Sequence, residues 1–375
     1  MSEKEAKTMM DYIASCPEFI RANVTCSKDL TAPLVEEYVN GGYRNIWIVA
    51  CGSSFNGSLC GRQFIRRHLQ CEVKIVTPFA FAVSEHDFHE TDMVIVVSQS
   101  GYSLNALDAV KVIKKKGRRA IGLTGDLDSD LAKACDVAAN YGVGRETVAY
   151  VTRGVTTLAL FFMLFAVDAA EKTGLKSPEE ADEMKKHLLT AADINEKVQA
   201  SWPAFLKKHY QNISGMTKVY VCGVGANMGT ASEGALKFGE TISIPSCAYE
   251  IEEYIHGPNI QMTPTYCVFF IDGGEGTGRI HQIYEGTQIV TSNVYLITNC
   301  ADYKKEPNTF YVECSLPEEI TPLAYLPVFQ MTAYRITEDL SRWIKHPLQR
   351  KMEQFVSSKS ENYENSPFSE DTPGR

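Results

Sequence analysis

The sequence predicts an α/β protein made of two tandem, doubly wound, three-layer α/β/α domains, each on a parallel sheet. Three observations carry this. Short continuous Val/Ile-rich runs alternate with helix-like stretches, and unbroken apolar runs of this kind belong to parallel strands covered on both faces. The chain reads twice, with corresponding elements about 171 positions apart, as from Asn56 to Asn227. Its 375 residues exceed the roughly 250 to 300 at which a single core stops growing.

Taken in order, residues 3–24 have the spacing of one amphipathic helix, the main part of an N-terminal segment over 1–35. The first domain, 36–175, opens with the strand Asn45-Ile46-Trp47-Ile48-Val49 and the small-residue turn Cys51-Gly52-Ser53-Ser54. A helix over 60–69 follows, then the strand Met93-Val94-Ile95-Val96-Val97, a helix from Leu104, a strand over 120–124 and an apolar helix over 155–170. Residues 176–210, charged and rich in helix formers, predict a helical connector. The second domain, 211–350, repeats the order: strand and turn at 218–223, helix at 231–240, strand at 294–298, helix at 323–340. The tail, 351–375, is rich in Ser, Glu, Asn and Pro, which suits either disorder or a docked extended arm.

A net charge of −9 and a pI near 5.5 argue against a nucleic-acid or anionic-membrane partner, since such surfaces need a basic face. Eleven cysteines is an odd number and no Cys-x-x-Cys occurs; several lie in apolar runs, as buried free thiols do. The start is charged and mixed, and the longest apolar run, 158–170, is interrupted by Asp168, so neither a signal peptide nor a membrane span is expected. A reducing, cytoplasmic setting is the expectation.

The richest local signal is Ser98-Gln99-Ser100-Gly101, between a buried strand and a helix start. Backbone N–H groups and hydroxyls from Ser98, Ser100 and Ser103, with the Gln99 amide, would converge there on a compact dianion such as the phosphate of a sugar. A plain helix cap uses the same residues. In the second half, Glu233, Lys237 and Glu240 fall within two turns of one helix, and on an ordinary helix this spacing is a solvated ion pair. Near a ligand, it would hold an ionised base. His256-Gly257-Pro258 follows the acidic stretch Glu250 to Glu253 and places a titratable ring in a tight turn. His86 and His89 lack a third metal ligand and read as a polar loop; no metal and no cofactor is expected.

Together, Cys-Gly-Ser-Ser at 51–54, Ser-Gln-Ser-Gly at 98–101, Glu-Gly-Ala-Leu-Lys at 233–237 and His-Gly-Pro at 256–258 resemble the double sugar isomerase (SIS) domain proteins. That family includes the isomerase half of glucosamine 6-phosphate synthase and the fructosamine 6-phosphate deglycases. The resemblance runs over about 36–350. It implies a sugar-phosphate substrate held by Gly52, Ser53, Ser54, Ser98, Gln99, Ser100 and Ser103, with Glu146 and Lys237 at the pocket. It makes Glu240 the residue that moves a proton between C1 and C2 and His256 the ring-opening histidine. It also implies a homodimer in which the His256 segment reaches the neighbouring subunit.

Departures narrow the expectation. Ser2 stands where the synthase has its nucleophilic Cys, which excludes ammonia from glutamine by that route. Tyr102-Ser103 replaces Glu-Thr after the serine loop, and Ala149-Tyr150-Val151-Thr152-Arg153 replaces Val-Ala-Ser-Thr-Lys, so Tyr102, Tyr150 and Arg153 become candidates for recognising an amine. The closing Leu-Ala-Lys is missing, and Lys351 is the nearest substitute. The expected activity is that of a phosphosugar-amine deglycase; a phosphosugar isomerase or deaminase and a non-catalytic sugar-phosphate sensor are the alternatives. The second-half counterpart of the serine loop, Ile271-Asp272-Gly273-Gly274-Glu275, is acidic, which predicts one phosphate site per chain.

Overall fold

The computed structural model describes residues 7–369, which fall into two compact units: the second is Leu189–Trp343, and the first is the described chain on either side of it, up to Leu188 and from Ile344. In the first, the helices α1 (Met9–Thr25) and α2 (Ser27–Gly41) precede β1 (Asn45–Val49), α3 (Ser53–Leu69), β2 (Val73–Val76), α4 (Pro78–Val83) and β3 (Asp92–Val97). Then come α5 (Leu104–Lys115), β4 (Ile121–Thr124), α6 (Asp130–Ala134), β5 (Val137–Asn140) and α7 (Arg153–Lys172). All strand pairs are parallel, in the order β2-β1-β3-β4-β5. The order reverses between β1 and β3, and the loops leaving these two strands therefore flank the crevice where open α/β sheets take ligands. The Cys51 turn and the Ser98 loop are those two loops.

The long helix α8 (Pro178–Ser214) spans the predicted connector and continues into the second unit. There β6 (Val219–Gly223), α9 (Asn227–Lys237), β7 (Ser246–Glu250), α10 (Ile251–Ile255), β8 (Cys267–Asp272), α11 (Thr277–Gln288), β9 (Val294–Thr298), β10 (Thr309–Tyr311) and α12 (Pro322–Asp339) follow. Its parallel sheet runs β10-β9-β8-β6-β7, the first unit's order read from the other edge. The repeat is thus a repeat of topology.

Among the described residues, five of the ten strands, β1, β3, β4, β6 and β9, coincide with the strands predicted above, and β8 is an apolar run that takes the place of β3 in the repeat. The four edge strands β2, β5, β7 and β10 were not foreseen: they are three to five residues long, and their half-exposed positions carry Lys, Asn, Ser, Glu and Tyr. The N-terminal segment is two helices, not one. Residues 3–6 of the predicted helix lie outside the described residues; α1 starts where the Thr8 side chain and Asp11 form a capping box. Among the described residues one helix, Arg153–Lys172, is long and apolar enough to cross a membrane, but 94% of its most apolar stretch is buried, as befits the central helix of a core. Up to residue 369 the predicted tail is an arm docked on the first unit, entered through α13 (Pro347–Val356); its residues 370–375 lie outside the described residues.

Candidate functional site

In the first unit, the serine loop is a fixed structure. Its backbone is tied to the neighbouring strand end, with Ser98 N donating to Leu123 O (3.0 Å) and Gly125 N donating to Gln99 O (2.8 Å). Leu131 N donates to Gly101 O at 2.8 Å. Gly101 has φ +77°, and a Cβ there would lie 2.1 Å from Ser129 Oγ, so conformation and space both demand glycine. The hydroxyls gather on one side: Ser98 Oγ donates to Ser103 Oγ at 3.2 Å, and the N–H groups of Gly101 and Tyr102 donate to Ser98 Oγ and Ser100 Oγ.

The Cys51 turn meets this loop, since Asn105 Nδ2, one residue into α5, donates to Cys51 Sγ at 3.5 Å. Gly52 adopts φ +58° to let α3 begin at Ser53, with Ser54 half-buried beside it. Glu146 is 2% exposed and accepts from the N–H groups of Thr152, Arg153 and Gly154, and from Gln99 Nε2 at 3.2 Å. It therefore holds the start of α7 and orients Gln99 from behind. Gln99 Oε1 is buried without a hydrogen-bond partner and packs against Gly154, where a Cβ would lie 1.9 Å from it.

Two of the candidates for amine recognition are otherwise engaged. Arg153 is buried, stacks 3.6 Å over Phe19 and donates to Val143 O, Arg145 O and Ser15 Oγ, a structural pin between α7 and α1. Tyr102 is buried and donates to Asp126 at 2.9 Å; burial and that carboxylate push its phenol well above its ordinary value. Tyr150 is half-buried under Lys345. Lys351 is exposed on α13, and a lysine that sequence reasoning missed, Lys359, reaches the loop. The only hint of it was a lysine among serines in an otherwise polar tail.

In the second unit, the Glu233–Lys237–Glu240 group is not the solvated pair its spacing suggests. Glu233 and Lys237 are 0% exposed. Lys237 Nζ donates to Glu233 Oε1 at 3.1 Å and to Glu240 Oε1, while the Glu240 side chain keeps 28% of its exposure. Burial alone would lower the lysine's pKa, but the two carboxylates overcome it and hold the ammonium above its ordinary value. Small residues allow this burial: Gly234 packs so closely on Phe329 of α12 that a Cβ would lie 2.7 Å from its ring. Lys237 thus positions Glu240 from inside and does not offer its ammonium to a ligand. Glu240 sits in a π-helical turn, Phe238–Ile242, closed by Ser243 at φ +62°; such turns displace a side chain from the helical register.

His256 caps α10 in an exposed turn, with Gly257 at φ +146°, and makes no hydrogen bond to Glu240. The acidic counterpart of the serine loop is closed on itself: Asp272 accepts from Gly274 N, Thr277 Oγ1 and Thr298 Oγ1 and is paired with His281 at 2.9 Å. Beside it, carboxylate oxygens of Glu275, Glu318 and Glu319 come within 4.8 Å of one another.

The SIS domain family model matches residues 43–167. Residues 43–167 are a SIS domain. Its match covers the β1 turn, the serine loop, Glu146 and most of α7. The chain is 29% identical over 57% of its length to glutamine–fructose-6-phosphate aminotransferase (isomerizing) of Clostridium tetani, and 26% identical over 78% to that of Pyrobaculum aerophilum. It spans 35% and 48% of those two relatives. Among solved structures, a candidate phosphosugar isomerase from Clostridium difficile 630 superimposes with a TM-score of 0.86 at 21% identity, covering 95% of this chain and 99% of that one. The C-terminal domain of glucosamine-fructose-6-phosphate aminotransferase from Francisella tularensis gives 0.78 at 16% identity, covering 92% and 100%. At these identities the likeness establishes the fold: the second unit repeats the architecture of the SIS domain.

Proposed function

We propose that this chain is a phosphosugar-amine deglycase, cleaving a fructosamine- or glucosamine-type sugar 6-phosphate to a hexose 6-phosphate and a free amine. The observation that carries the reading is Glu240: one carboxylate of a buried Glu–Lys–Glu group, kept open to solvent while its partners are enclosed. An ionised carboxylate fixed from behind by an ammonium is a base in a defined position, and general-base catalysis is worth about 10² to 10⁴-fold. The SIS domain and the relatives named for fructose 6-phosphate support a hexose phosphate as the substrate's anchor.

With a fructosamine 6-phosphate, His256 assists ring opening and exposes the C2 carbonyl. Glu240 takes a proton from C1 and the C–H pair forms the C1–C2 double bond, while the C2=O π pair moves onto its oxygen, which takes a proton from the substrate's ammonium to give a neutral enolamine; the nitrogen lone pair then forms the C1–N double bond as the proton on Glu240 returns to C2. The amine is then an imine at C1. Water adds to that carbon, the C–N bond breaks, and the protonated amine leaves from an aldose 6-phosphate. The exposed turn of His256 suits a homodimer in which this segment serves the neighbouring chain.

The test is incubation with fructoselysine, glucoselysine, fructose and glucosamine 6-phosphates, following glucose 6-phosphate and free amine. Amine release from one of the conjugates is expected. Interconversion of the simple phosphates without any release from the conjugates would replace the reading with an isomerase, and binding without turnover would leave a sensor.

A further inference from the structure

The arm after α13 is built into the serine loop. Lys359 forms an antiparallel bridge with Ser103, framed by Leu104 N donating to Ser358 O (3.1 Å) and Ser360 N donating to Tyr102 O (2.9 Å). Its Nζ donates to Ser100 Oγ at 3.0 Å and to Ser103 Oγ at 3.2 Å. Beyond it, Ser360 and Asn362 donate to the two oxygens of Asp130, and the ring of Tyr363 lies 5.0 Å beneath the ammonium. Phe368 is 6% exposed and fills the space over Gly125, where a Cβ would lie 2.5 Å from its ring. The arm is anchored on both sides of the lysine.

The charge around the loop shows what the lysine is for. Asp126, Asp128 and Asp130 all act electrostatically on Tyr102, the residue between Gly101 and Ser103. A phosphate dianion entering this cradle would find neutral hydroxyls and N–H groups and no compensating charge from the loop itself. The ammonium of Lys359 supplies that charge. The hydroxyls that now accept from Nζ can rotate to donate to phosphate oxygens, and the ammonium then pairs with the anion directly.

We infer that residues 357–369 form the charged wall of the phosphate subsite: Lys359 selects phosphorylated over unphosphorylated sugars, and phosphate binding locks the arm in place. The inference rests on the serine loop being the phosphate cradle. Occupancy and arm order are then one equilibrium, so each strengthens the other by the same factor.

Calorimetric titration of the full-length protein with fructose 6-phosphate and with fructose, for wild type, Lys359→Met and Lys359→Arg, tests it. Lys359→Met keeps the aliphatic stem and should weaken fructose 6-phosphate binding at least tenfold; Lys359→Arg should stay within about threefold of wild type. In parallel, trypsin cleavage after Lys359, read by mass spectrometry on wild type, should slow at least fivefold with saturating fructose 6-phosphate and stay unchanged with fructose. Wild-type affinity in Lys359→Met, or cleavage indifferent to fructose 6-phosphate, overturns the role of the arm while leaving the cradle intact. If wild type binds no fructose 6-phosphate, cradle and arm fall together.

Discussion

The loops that leave β3 and β8 occupy the same place in the same fold and have opposite character. In the first unit, Ser98 to Ser103 offers hydroxyls, N–H groups and the ammonium of Lys359. In the second, Asp272 to Thr277 is acidic, with Asp272 saturated by its own loop, by Thr298 and by His281. Both loops pass through a glycine in the left-handed region, Gly101 at φ +77° and Gly276 at φ +70°. The backbone device is conserved between the halves, then, while the side chains decide the ligand. On the proposed reading, the first half holds the anion. The other half holds its distinctive chemistry on the helix after β6, at Glu240.

The comparison breaks most visibly at Glu240. Glu240→Gln should lower turnover by about 10³-fold while leaving fructose 6-phosphate affinity within twofold, because it removes a base and keeps the shape. Steady-state kinetics with calorimetry checks this; full activity would remove Glu240 as the base.

Next comes Glu318, buried beside the loops that leave β6 and β8 in the second unit. Glu318 accepts from Ala226 N (3.0 Å), and burial, with Glu275 and Glu319 nearby, pushes it up to about 7 from an ordinary 4.5. Between those pH values the unfolded chain releases this proton while the folded chain keeps it. The unfolded state therefore binds fewer protons, and stability falls as pH rises from about 4.5 to 7, by on the order of 3 kcal/mol. Denaturant unfolding at pH 5, 6 and 7 should show this fall in wild type and a shallower one in Glu318→Gln; identical slopes would place the ionised carboxylate in the fold.

Smaller effects sharpen the comparison at the loops themselves. Ser100→Ala should weaken fructose 6-phosphate about 10- to 100-fold, the worth of a hydrogen bond to a charged group. Glu275→Ser, at the matching place in the second unit, should change affinity less than twofold. Equal losses would mean that both loops bind. The glycines give the finest test: Gly101→Ala meets Ser129 Oγ and should destabilise by about 2 to 4 kcal/mol, whereas Gly276→Ala has open space around it and should cost about 1 kcal/mol of backbone strain. Thermal unfolding of the two variants separates them.

The central strands were legible because they are buried on both faces and reduce to apolar runs; β1, β3, β4, β6, β8 and β9 all read this way. Edge strands were not, since Val73-Lys74-Ile75-Val76 or Thr309-Phe310-Tyr311 is too short and too mixed to stand out from loop. Ser98 to Gly101 and Glu240 were legible as motifs, but their state was not. An i, i+3, i+4 charge pattern is the same whether Lys237 is solvated or enclosed, and what encloses it is the close approach of α12 at Gly234, a contact between distant parts of the chain. Lys359 was hidden for a similar reason: its partner Ser100 is 259 residues away, and the anchoring apolar residue of the arm, Phe368, is one ring in a polar tail.

The division of labour between the halves is tested most directly by the stoichiometry of fructose 6-phosphate binding, measured calorimetrically on wild type and on the double variant Ser98→Ala/Ser100→Ala. One molecule per chain, abolished in the double variant, is the expected result. Two per chain, or one that survives the loss of both serines, would contradict it.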